Sequence, residues 1–160
     1  MKLQSSVIRL EAWLQEELAA QERMVELLER QEQAIRNSDD PGLKAAGKDL
    51  DLELTSQPRR AARRGVLLAE LANAMGIAPT ALTLSHVADH AEANGINPTR
   101  LRTLREEIRS AAANVLRRGR RVASLARYHQ GLLSELMGVL FEDPERDIHS
   151  EEPRLLDAKA

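Results

Sequence analysis

The chain has 160 residues, 42% of them apolar and 30% charged, with a net charge of −2 and no cysteine. That length holds one domain with a modest core, and that composition excludes both a disordered polymer and a membrane-embedded bundle; without thiols, a disulfide framework and thiolate catalysis are excluded as well. One Trp, one Tyr and one Phe are few for a globular core but enough for a seam of Leu and Ala between long helices, so a thin bundle is expected.

The opening residues 1–17 meet acidic side chains too early to contain the apolar region of a signal peptide. A first helix is predicted from Gln4 to Asn37. Val7, Leu14, Leu28 and Ile35 recur at seven-residue spacing with Gln21 interrupting, and Leu10, Leu18, Met24 and Val25 widen the stripe. Ser38-Asp39-Asp40-Pro41 is a restart signal, with Asp40 expected as the cap of a second helix and Pro41 in its first turn. That helix is predicted over Pro41–Met75, with Leu43, Leu50, Leu54, Leu68, Leu71 and Met75 on one face and Gly76 as its stop. Pro58 removes a hydrogen bond to Leu54, which predicts a kink or a short break.

The longest uncharged run, Leu71 to Ala88, contains Asn73, Gly76 and Pro79. It predicts a helix end and a loop over 77–83, and not a membrane span. A short helix from Leu84 to Ala93 should follow, capped by Thr83 and closed by Asn94-Gly95. Asn97-Pro98 then opens the third long helix. Leu101, Ile108, Val115, Val122, His129 and Leu136 fall seven apart, and Leu104, Ala111, Arg118, Leu125, Leu132 and Val139 form the matching register. The helix should end near Glu142, because Asp143-Pro144 cannot continue it. The expected fold is all-α: over residues 1–142, three long antiparallel helices in a coiled-coil-like bundle plus one short helix, followed by an acidic, flexible, disordered tail over 143–160. The lack of an export signal and of cysteine points to the cytoplasm.

Charge is unevenly placed, with 7 basic and 12 acidic side chains over residues 1–56, 13 and 5 over 57–130, and 3 and 8 over 131–160. Arg59, Arg60, Arg63 and Arg64 form one cluster, and Arg117, Arg118, Arg120 and Arg121 a second. Three readings stand for them: a match to Glu16, Glu17, Glu22, Glu26 and Glu29 of the acidic first helix that sets antiparallel register or else a plain solvated surface, a protein-docking patch, or phosphate contacts to nucleic acid. The acidic total and the lack of aromatics among the arginines argue against nucleic acid, and register is favoured.

The C-terminal end of the third helix is the favoured binding surface. Val122, Leu125, Tyr128, Leu132, Leu133, Leu136, Met137, Leu140 and Phe141 supply more apolar surface than one seam needs. At 1.5 Å per residue that helix spans about 67 Å and the first about 51 Å, so without stagger part of it overhangs and stays uncovered. Such a stripe serves a partner helix, a homodimer contact, or burial against the second helix. His86 and His90 stand four apart, a spacing that suits one metal, but no third ligand is convincing and surface histidines are expected. His129 lies in the seam, where a neutral hydrogen-bonded ring is the ordinary state. No Ser/His/Asp set, paired-carboxylate site or glycine-rich phosphate loop can be placed, so neither catalysis nor a cofactor is expected.

Four segments in this order carry a family likeness. They are Ala34-Ile35-Arg36-Asn37-Ser38-Asp39; Arg63 or Arg64 followed by Val66-Leu67-Leu68-Ala69-Glu70-Leu71-Ala72 and Met75-Gly76-Ile77; Thr83-Leu84-Ser85-His86-Val87; and Gly131-Leu132-Leu133-Ser134-Glu135-Leu136. Together they resemble the FlgN family of flagellar type III export chaperones over residues 7–141. Members often carry two Asn three apart in the last helix, where this chain has Leu116-Arg117-Arg118-Gly119-Arg120-Arg121. The resemblance implies a cytosolic chaperone that holds hook-associated proteins by a helical terminal segment and delivers them to the flagellar export apparatus. It implies no hydrolysis and no cofactor. The partners expected are thus hook-associated clients and the export apparatus, with a homodimer as the alternative, and neither nucleic acid nor membrane insertion.

Overall fold

The computed structural model describes the backbone over residues 2–141 and side-chain environments over residues 3–137. The tail assigned to 143–160 lies outside the described residues, as do the side chains of Val139, Leu140 and Phe141. The elements are α1 (Lys2–Arg36), α2 (Asp40–Met75), a 3-10 turn (Pro79–Ala81), α3 (Leu84–Ala93) and α4 (Thr99–Phe141), with no strand among the described residues. Within the described residues the chain divides into two units, residues 1–125 and the part of α4 from Ala126 on. No helix of the described residues is long and apolar enough to cross a membrane.

α1 buries the stripe its periodicity foretells. Val7, Leu10, Leu14, Met24, Leu28 and Ile35 are buried, together with Trp13, Ala20, Leu27 and Ala34. The core of the first unit joins Val7, Leu10 and Leu14 to Leu67 and Leu71 of α2, Val87 and Ala91 of α3, and Leu101 and Leu104 of α4. All four helices thus close over one apolar cluster. Arg9 pairs with Glu70, Glu16 with Arg63, Arg23 with Glu53 and Arg30 with Asp49. Numbers that rise on one helix and fall on the other make α1 and α2 antiparallel. Glu29 and Glu32 of α1 meet Arg118 and Arg121 of α4, so α4 runs parallel to α1. The antiparallel register expected between α1 and the arginines therefore holds for the α2 cluster, whereas the α4 cluster corrects it by meeting α1 in parallel.

The helix ends follow local chemistry. Asp39, rather than Asp40, caps α2: its Oδ1 accepts from Gly42 N at 3.0 Å, and Asp40 occupies the first turn. One residue of shift suffices because Pro41 tolerates either of the first two helical positions. Gly76 closes α2 at φ +67, where Ile77 N donates to Ala72 O at 3.0 Å; this left-handed closure costs glycine no Cβ clash. Thr83 caps α3 by accepting from His86 N at 3.2 Å, as expected.

Two expectations for α2 are corrected. The helix runs unbroken through Pro58, which lies on its exposed side. Its inward face also differs from the one predicted, since Leu54 is 42% exposed. The seam instead steps by about 3.5 residues from Leu43 through Ala46, Leu50, Glu53, Gln57, Arg60 and Arg64 to Leu67 and Leu71. Its middle is polar, and Leu54 falls one residue to the side.

Candidate functional site

The middle of the α1–α2 seam is an ion network. Glu17 occupies the α1 seam position between Leu14 and Gln21, where an apolar residue would ordinarily stand. Arg60 Nε donates to Glu17 Oε2 at 3.1 Å, and its Nη1 donates to Glu53 Oε1 at 2.8 Å and to Ser56 Oγ. Arg23 Nε donates to the other Glu53 oxygen at 3.1 Å. Burial alone would raise the Glu53 pKa, but hydrogen bonding and charge from Arg23 and Arg60 outweigh it and hold the carboxyl below its ordinary value. Side-chain exposures of 13–18% for Glu53, Arg60 and Glu17 make the network a nearly dry layer, which fixes helix register more than it adds net stability.

A second network joins α1 to α4. Glu32, only 7% exposed, forms ion pairs with Arg36 at 2.6 Å and Arg121 at 2.8 Å, and lies 3.6 Å from Arg118, which also meets Glu29 at 2.6 Å. The arginine clusters thus engage Glu16, Glu17 and Glu29, as the register reading expects. Glu22 and Glu26 make no ion pair among the described residues. Glu32 and Glu53 are the partners that sequence reasoning missed. Both sit inside otherwise regular amphipathic stretches, so nothing in the linear pattern distinguishes them.

The residues proposed from sequence as a client surface all lie on α4. In the first unit Val122 and Leu125 are half-buried. In the second unit Tyr128, Leu132, Leu133, Leu136 and Met137 are 39–67% exposed. At ~100° per residue these five cover about half the circumference of the helix. Among the described residues they form an exposed apolar stripe, and exposed apolar patches of this kind commonly mark interaction surfaces. His86 is held elsewhere, its Nδ1 donating to Ala81 O at 3.0 Å. That bond ties α3 to the preceding turn.

Sequence reasoning also missed a groove beside Trp13. A cavity of about 560 Å³ opens between α1 and α2, with Leu82, Leu84 and Ile108 completing its walls. Trp13 Nε1 donates to Arg60 O at 3.2 Å, which fixes the ring, and the Arg64 guanidinium lies 6.0 Å from the ring centre. The single Trp of the chain was the available signal, but a lone aromatic in an amphipathic helix does not reveal what faces it. A second cavity, about 590 Å³, lies between Leu18 and Val25 of α1 and Ala111 of α4, and is edged by Glu22, Glu26 and Glu107.

No protein-family model matches the chain, and neither a curated protein nor a solved structure is significantly similar to it.

Proposed function

We propose that the protein is a FlgN-like export chaperone, which holds the helical terminal segment of a flagellar hook-associated protein in the cytoplasm and passes it to the flagellar export apparatus. The observation that carries this reading is the bare apolar stripe of Tyr128, Leu132, Leu133, Leu136 and Met137, which lies in and around the family-like segment Gly131–Leu136. An amphipathic client helix lays its own leucines along the stripe, so both surfaces leave water and neither is free to aggregate. Burial contributes about 25 cal/mol per Å² of apolar surface, and ordering a flexible client segment offsets most of that gain. The remainder is a moderate affinity, which suits a partner that must later release its client. The work is binding and shielding, with no bond made or broken.

Titration calorimetry with synthetic terminal segments of hook-associated proteins tests the reading. Leu133→Asp or Leu136→Asp should weaken binding about tenfold or more, with helicity by circular dichroism unchanged. Loss of helicity would make these residues core. Self-association that depends on concentration and on Leu133, without client affinity, would make the stripe a homodimer contact.

A further inference from the structure

The groove beside Trp13 lies wholly within residues 1–125 and shares no residue with the α4 stripe. We propose that it is a second docking site, and that it takes a helical segment of a partner protein with large apolar side chains on one face and a carboxylate beside them. One wall is built by Gln57, Ala61, Arg64 and Leu68 of α2, spaced i, i+4, i+7 and i+11. On the α1 side Leu10 and Leu14, buried in the core, form the floor and Glu17 the edge, spaced i, i+4 and i+7. The α2 wall spans about 16 Å, or three helical turns, which matches a partner helix that inserts side chains at i, i+3 or i+4, and i+7. The volume falls within the ~300–1,000 Å³ typical of binding clefts.

Charge selects the occupant. Glu17 on the rim is already held by Arg60, and Arg63 is held by Glu16. Arg64 has no carboxylate partner among the described residues and stands at the groove mouth over Trp13. The rim therefore presents one uncommitted cation beside an apolar floor, and a carboxylate on the incoming helix would complete it. A second cavity of the unit carries Glu22, Glu26 and Glu107 on its edge, so an acidic helix is repelled there and favours the Trp13 groove. Because the indole N–H is committed to Arg60 O, the ring wall is fixed before any partner arrives, and ordering it adds no cost.

Trp13 is the only tryptophan, so the emission of the full chain reports the groove directly. The probes are two synthetic amphipathic helical peptides with Leu at i, i+3, i+4 and i+7, one with Glu and one with Lys at the flanking positions. The Glu peptide should shift the emission saturably and bind about tenfold or more tighter than the Lys peptide. Arg64→Glu should reverse that preference. Ala61→Phe, at an exposed α2 position on the groove wall, should abolish the response without loss of helicity, whereas Leu133→Asp should leave it intact. No saturable shift up to roughly 1 mM peptide, equal affinity for the two peptides, or a response insensitive to Ala61→Phe would overturn the proposal. So would abolition by Leu133→Asp, which would put the peptide on the α4 stripe, or self-association blocked by Ala61→Phe, which would give the groove to a second copy. Failure here leaves the chaperone reading standing, because that reading rests on other residues.

Discussion

Leu104 and Leu133 are leucines of one helix with opposite surroundings. Leu104 is fully buried in the core cluster, whereas Leu133 is 54% exposed. Truncating Leu104 removes buried methyl groups and leaves a cavity, so Leu104→Ala should cost about 2–5 kcal/mol. Leu133→Ala should change stability by no more than about 0.5 kcal/mol. Urea denaturation measures both, and an unchanged m-value would show that the unfolded reference is the same. A large cost at Leu133 would mean that its side chain is packed in solution, and the proposed client surface would lose its central residue. Both leucines fit the same heptad pattern or its flank, so periodicity alone does not separate them. What separates them is the availability of a packing partner, which is a property of three dimensions.

At the scale of the elements, the α1–α2 pair is an apolar seam interrupted by Glu17, Arg60 and Glu53. Such a layer penalises a slipped register, because any shift would strand a nearly dry charge opposite leucine. Because Glu53 titrates below its ordinary value in the folded chain, its stabilising contribution is complete above the unfolded pKa of about 4.3. It is lost as pH falls through the lower folded value. Glu53→Gln should therefore be less stable than the parent at neutral pH, and the gap between their thermal midpoints should close below about pH 4. A gap independent of pH would assign the loss to packing instead. The seams of α1 and of the first half of α4, the capping of α3 by Thr83 and the stop at Gly76 were all legible in sequence. Each depends on residues within a turn or two of one another. The α2 face was misread at Leu54 because hydrophobicity was used as the guide, whereas the true inward positions in mid-helix carry Glu53, Gln57 and Arg60. Their partners lie on α1, tens of residues away in sequence.

For the whole molecule, the uneven charge of the chain has a structural use. The acidic first third faces arginines of the basic middle at two places, Glu16 and Glu17 against Arg63 and Arg60, and Glu29 and Glu32 against Arg118 and Arg121. These four guanidiniums already hold carboxylates, which removes half of the clustered arginines from the basic surface that a phosphate backbone would need. Two apolar surfaces stand beside them, the stripe on α4 and the groove at Trp13. Both argue for a protein whose work is to hold other helices. The measurement that tests this most directly is capture from native cytosol with the full chain, beside the same chain carrying Leu133→Asp and Leu136→Asp, with recovered proteins identified by mass spectrometry. The account predicts that the parent recovers a flagellar hook-associated protein at fixed stoichiometry and that the variant, equally helical, does not. Equal recovery by both chains would contradict the assigned surface, and recovery of no hook-associated protein by either would contradict the function itself.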